Sequence, residues 1–213
     1  VINVTAMGHA AKKEIVYRDG AKKNDILCVS GDLGASYVGL LILEREKQVF
    51  LADKLMQPKL EGYDYVLKRQ LRPEARIDVV KELKALGVVP TSMIDISDGL
   101  SSEILHISKQ SKLGCKLFEE KIPIDPTPYN TARELNLDPT TCALSGGEDY
   151  ELLFTVSAEE FEKLKDHPDF TPIGHMTDLD FGCKMISKSG YEHELKAQGW
   201  KVFGAKEGEE SAS

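Results

Sequence analysis

Apolar residues fall into short runs and helical stripes along the chain, and together these predict a mixture of α and β elements. Val1 to Thr5 and Ile15 to Tyr17 read as short strands. Ile26-Leu27-Cys28-Val29-Ser30 is a stronger one, closed by the turn signal Gly31-Asp32-Leu33-Gly34. A helix is expected over about 35–45, and another near 65–71 that stops before Pro73, since proline disfavours helix in the residue ahead of it. Val79, Val80, Leu83 and Leu86 recur at helical spacing over 77–86, with Gly87 as the stop. Residues 91–95 read as a short strand, and Ile96-Ser97-Asp98-Gly99 leads into a helix with Leu100, Ile104, Leu105 and Ile107 on its apolar side. Further on, 115–118, 150–156, 170–173 and 184–187 read as strands. Residues 131–137 and 158–165 read as helices, and Pro123, Pro126 and Pro128 mark an extended loop. The acidic end, 207–213, reads as a disordered tail.

Several strand-to-helix turns and no internal repeat imply one α/β or mixed α+β domain. The 213 residues, 41% hydrophobic and 29% charged, are enough to bury a real core. Acidic residues outnumber basic ones 35 to 27, a net charge of −8, which argues against a nucleic-acid footprint. The longest apolar stretch, Val38 to Leu43, is far too short for a bilayer, so no membrane partner is expected. Cys28, Cys115, Cys142 and Cys183 form no C-x-x-C pair and read as small core residues in a reducing compartment, with the cytoplasm as the default. The chain opens on Val1 rather than Met, directly on a strand-like run, which suggests a piece of something longer.

Two segments carry candidate chemistry. In Asp95-Ile96-Ser97-Asp98-Gly99, two carboxylates sit where a strand gives way to a helix. Carboxylates, phosphate oxygens and water are the donors a hard cation such as Mg²⁺ requires, while orphan N–H groups at a helix start suit phosphate. The same spacing also serves a plain helix cap. In Ser145-Gly146-Gly147-Glu148-Asp149, a Gly-Gly loop permits close backbone approach to a ligand, and the acids at its exit could accept from an amine or a cation. A β-turn with solvated acids would look alike. Gly31-Asp32-Leu33-Gly34 resembles a phosphate nest but fits a structural turn better, and Arg18 could clamp a phosphate or simply face solvent. No H-E-x-x-H and no G-x-S-x-G occurs, so zinc and serine hydrolases have no support.

Read in order, the chain carries R-x-G-A from Arg18, S-G-x-L-G from Ser30, L-R-P from Leu71, I-D-I-S-D-G-L-S-S-E from Ile94, L-S-G-G-E-D-Y-E-L-L-F-T from Leu144 and I-G-H from Ile173. This series resembles the bacterial thiamine-monophosphate kinases, members of the aminoimidazole ribonucleotide synthetase-like superfamily. The likeness is to their C-terminal half together with the last strand of the N-terminal half. It implies a three-layer α/β/α domain with partly ferredoxin-like topology. It also implies a boundary near residue 10, with 1–10 the end of an N-terminal ATP-binding domain and 11–206 the substrate side. The implied activity is in-line phosphoryl transfer from ATP to thiamine monophosphate with Mg²⁺, in a homodimer held by the N-terminal half. Residue by residue, the resemblance gives Asp95 and Asp98 to metal, Asp98 also to catalysis, Arg18 and Ser97 to ATP, and Glu148 and Trp200 to substrate. Two alternatives stand beside it: another enzyme of the superfamily acting on a purine precursor or selenide, and a non-catalytic binding or dimerisation fragment.

Overall fold

A computed structural model describes residues 2–5 and 7–197. In chain order it contains β1 (Ile26–Ser30), α1 (Ala35–Ala52), α2 (Asp64–Leu71), α3 (Ile77–Ala85), β2 (Ser92–Asp95), α4 (Leu100–Ser111) and β3 (Gly114–Phe118). These are followed by α5 (Pro126–Glu134), α6 (Pro139–Ser145), β4 (Leu152–Val156), α7 (Ala158–Phe161), β5 (Phe170–Thr177), β6 (Cys183–Ile186) and β7 (Glu192–Glu194). The strands form one sheet in the order β2-β4-β1-β5-β3-β6-β7. Its neighbours are antiparallel except for the parallel pair β3 and β6.

Strand alternation divides the core between the two faces of the sheet. Leu27, Val29 and Leu153 pack with Ile104 and Ile107 of α4 on one face. Cys28, Phe154 and Val156 pack with Val79 and Leu83 of α3 on the other. Helix, sheet and helix thus form the three layers expected. A separate cluster of Ala35, Val38, Val66, Ala132 and Cys142 ties α1, α2, α5 and α6 together. Gly39 makes the crossing of α1 and α2 possible, because a Cβ there would stand 2.1 Å from the Val66 carbonyl oxygen.

Several elements depart from the sequence reading. Residues 2–5 form no strand and are exposed, and residues 12–14 make a single 3₁₀ turn. Ile15–Tyr17 is not a strand either; its link to the sheet is the Tyr17 carbonyl, which accepts from the Met93 N–H at 3.1 Å. Helix α1 runs on to Ala52, since no glycine or proline interrupts it after Gly39. Pro126 starts α5 rather than marking loop, so the helix expected over 131–137 begins earlier and ends at Glu134, and Pro139 starts α6. Each follows an aspartate that caps the helix, Asp125 accepting from the Thr127 N–H and Asp138 from the Thr141 N–H. Strand β4 begins at Leu152 rather than at Tyr150, whose φ of +53° breaks the extended run. The four cysteines are free thiols. Among the described residues no helix is long and apolar enough to cross a membrane.

Candidate active site

The register of β2 against β4 ends at Asp95 opposite Leu152, but the two chains stay joined beyond it. The Ile96 N–H donates to the Glu151 carbonyl at 2.8 Å, and the Tyr150 N–H donates to the Ile96 carbonyl at 2.9 Å. The Glu148 N–H then donates to the Ser97 carbonyl at 2.8 Å. The two candidate segments, far apart in sequence, are therefore one structure. Two glycines permit this approach. Gly147 has φ +70°, and a Cβ there would lie 2.5 Å from the Ser97 carbonyl oxygen. Gly99 has φ +101°, and its Cβ would lie 2.7 Å from the Leu144 carbonyl oxygen. A side chain at either position would have to push the loops apart.

Around this seam stand Asp95, Asp98, Glu148 and Tyr150. Asp95, Asp98 and Glu148 are exposed, and Tyr150 is half-buried. Neither Asp95 nor Asp98 makes a side-chain hydrogen bond or an ion pair among the described residues, so their oxygens are free for a cation. Tyr150 donates its hydroxyl to Glu148 Oε2 at 2.9 Å. Its phenol is pushed up first by that bond, then by burial, then by the negative charges of Glu148, Asp95 and Asp98. The phenol is thus within the electrostatic reach of all three carboxylates.

Behind the turn, Glu103 is 1% exposed and gathers it from within. Its Oε1 accepts from the Asp98 N–H at 3.0 Å and from the Ser97 N–H and hydroxyl, both at 3.3 Å. Its Oε2 is buried without a partner among the described residues. Burial pushes the Glu103 carboxyl up.

The next acids of the Gly-Gly loop point inward. Asp149 accepts from the Gly34 N–H at 2.8 Å and the Ser36 N–H at 3.2 Å, capping α1. Burial pushes its carboxyl up to about 7, against those two bonds and the charge of Arg69. Glu151 is also buried; its Oε1 accepts from Arg69 Nη1 at 2.8 Å, and its Oε2 accepts from Ser30 Oγ at 2.5 Å and pairs with Arg76. Arg69 also donates to the carbonyls of Asp32 and Asp149, at 3.1 and 3.3 Å. The Gly31–Gly34 turn is therefore a structural turn, as expected, because Asp149 already takes the amides at its exit.

Of the residues singled out in the sequence, Asp95, Ser97, Asp98 and Glu148 are brought together. Arg18 is not among them: it is exposed, and its carbonyl accepts from Ser111 Oγ at 3.5 Å, at the far end of α4. That helix has 12 residues and separates Arg18 from the Asp98 turn by about 18 Å. Trp200 lies outside the described residues. Sequence reasoning gave no role to Glu103, Tyr150, Glu151, Arg69 or Arg76, and it named Asp149 beside Glu148 as an acceptor or a solvated acid, not as the buried cap of α1 that it is. The signal was the alternation in Glu148-Asp149-Tyr150-Glu151, with the first and third residues facing the site and the second and fourth buried.

No family model matches the chain. Among curated proteins it is 32% identical over 202 residues to the thiamine-monophosphate kinase of Aquifex aeolicus, covering 95% of this chain and 58% of that protein. With the Bacillus subtilis thiamine-monophosphate kinase it shares 32% over 207 residues, covering 91% and 60%. With that of Escherichia coli K12 it shares 36% over 192 residues, covering 83% and 54%. Its homologues are thiamine-monophosphate kinases. The chain corresponds to the C-terminal portion of those proteins and spans rather more than half their length. Among solved structures, AaThiL complexed with AMPPCP and TMP superposes with a TM-score of 0.71 at 32% identity, covering 88% of this chain and 54% of that one. The thiamine-monophosphate kinase of Stenotrophomonas maltophilia K279a gives 0.67 at 28%, covering 88% and 56%. The hydrogenase maturation protein HypE in complex with ATP gives 0.58 at 18%, covering 87% and 54%, which extends the likeness to the shared fold alone.

Proposed function

We propose that the protein carrying this chain phosphorylates thiamine monophosphate with ATP, giving thiamine diphosphate, and that this chain forms its substrate side. The observation that carries the reading is the seam joining Asp95, Ser97 and Asp98 to Glu148. It places cation-ready carboxylates beside an acid at a Gly-Gly loop. Support comes from a homologue at 32% identity solved with an ATP analogue and TMP. The further expectations belong to the same proposal: a domain of residues 11–206, a cytoplasmic site of action, and a homodimer held through the N-terminal half.

The donor set fits Mg²⁺. Asp95 and Asp98 offer hard anionic oxygens that no protein cation occupies, and Glu103 fixes the backbone between them. When bound there, Mg²⁺ would neutralise the charge shared by two anionic phosphates. The chain's own residues bind and orient. Asp95 and Asp98 would hold the cation, and Ser97 and the N–H groups at the start of α4 would be available to phosphate oxygens. Glu148 would accept from the substrate, with Trp200 assigned to pack on it; Arg18, at the other end of α4, takes no part in this arrangement. The acceptor is a phosphate oxygen already largely ionised at neutral pH, so no strong base is required. Incubating the full-length gene product with ATP, Mg²⁺ and thiamine monophosphate should yield the diphosphate. Phosphorylation of a different acceptor with this one untouched would refute the assignment.

A further inference from the structure

We propose that Tyr150 is a positioning residue, which locks Glu148 in its substrate-facing conformation and leaves one carboxylate oxygen free to accept from the ligand. The proposal rests on the kinase reading above and deepens it. Three independent observations lead to it. First, Tyr150 and Glu148 both hold left-handed backbone, φ +53° and +62°. A bulky residue rarely adopts that region, and it persists only where the surroundings over-determine it. Second, the surroundings do so here. The amides of both residues are tied to the carbonyls of Ile96 and Ser97, and the intervening Asp149 is anchored on Gly34 and Ser36. Third, this backbone brings the phenol onto Glu148 Oε2 at 2.9 Å, while Glu148 Oε1 takes no hydrogen bond among the described residues.

An ordinary turn would be built from glycine or asparagine at such φ values. Tyrosine here adds a side chain that a turn does not need. The fixed hydroxyl removes rotational freedom from an exposed glutamate, and the entropy of ordering that side chain is met before the ligand arrives. The ligand class that such a carboxylate suits is a cationic or amino-bearing ring, not a second phosphate.

The test is steady-state kinetics on the full-length gene product: wild type, Tyr150→Phe, Glu148→Ala and the double variant, with ATP and thiamine monophosphate each varied. Tyr150→Phe is expected to raise KM for thiamine monophosphate about three- to tenfold, the range of one ordinary net hydrogen bond, since this one is solvent-exposed. Both kcat and KM for ATP should stay within about twofold. In the Glu148→Ala background the same substitution should change nothing further. Equal effects in both backgrounds, or an equal rise in KM for ATP, would overturn the proposal. The urea midpoint of Tyr150→Gly is a second readout, and it does not need turnover. Relief of the strained φ should keep or raise the midpoint while KM for thiamine monophosphate still rises, whereas a lowered midpoint with unchanged KM would mark Tyr150 as a structural residue only. A wild type that leaves thiamine monophosphate untouched refutes the kinase reading, and is seen before any variant is compared.

Discussion

Glu151→Ala should destabilise the fold more than any other single change at the site. Glu151 is 1% exposed and serves three donors: Arg69 on one oxygen, and Arg76 and Ser30 on the other. Removing the carboxylate leaves two guanidinium groups without their main acceptor. Breaking a buried ion pair in this way costs about 3–5 kcal/mol, because the surviving charge is left unpaired. Arg69 and Arg76 keep 20% and 15% side-chain exposure, and Arg76 retains Asp78 at 3.1 Å. Water and Asp78 therefore recover part of the loss, which puts the expectation at the low end, about 3 kcal/mol. With a urea m-value of about 2–3 kcal/mol/M, the midpoint should fall by about 1–1.5 M. Urea titration followed by far-ultraviolet circular dichroism on the 213-residue chain measures this. Glu151→Gln keeps the volume and one acceptor oxygen and should lose less. A shift below about 0.3 M for the alanine variant would show that the arginines find other partners, and the reasoning would fail.

The carboxyl of Asp149 titrates near 7 when folded and near the ordinary value for aspartate when unfolded, so over that interval the native state binds more protons. Its contribution to stability is therefore greatest in acid and is lost as pH rises to about 7. Urea midpoints at pH 5 and pH 8 should show the fall, and Asp149→Asn should flatten it; an unchanged slope in that variant would assign the dependence elsewhere. Gly147→Ala must hold φ +70° and place a Cβ 2.5 Å from the Ser97 carbonyl oxygen, so a loss of about 1–3 kcal/mol is expected, read from thermal melts. Asp98→Asn in the full-length gene product should lower kcat at least about tenfold through lost charge at the cation site. Wild-type kinetics across limiting and saturating Mg²⁺ would instead place Asp98 outside any cation site.

Which parts of this were legible in the sequence follows from how local each signal is. Strand β1 and helices α3 and α4 could be read directly, because their apolar periodicity is set by nearest neighbours. The start of α5 and the whole of α6 could not, since Pro126 and Pro139 signal a loop or a helix start depending on whether Asp125 and Asp138 cap. At the site, the paired aspartates and the Gly-Gly loop stood out as residue types. Their convergence did not, because the hydrogen bonds that join Ile96 and Ser97 to residues 148–151 depend on the pairing of β2 with β4. The burial of Asp149 and Glu151 was hidden for a related reason: their partners Gly34, Ser36, Arg69 and Arg76 lie on elements far back in the chain. Arg18 shows the reverse case, a residue type suited to phosphate that the fold leaves at the other end of α4.

The seam between residues 96–97 and 148–151 also has a meaning in time. A ribosome adds about 5–20 residues per second, and about fifty residues separate Asp95 from Glu148. The aspartate pair therefore leaves the ribosome several seconds ahead of the loop that completes it. During that interval the turn at Ser97 has only Glu103 to hold its shape, and α4 can form but has no finished sheet to lie on. Synthesis thus delivers the aspartate turn first and the Gly-Gly loop last, and the pairing of β2 with β4 is the event that joins them.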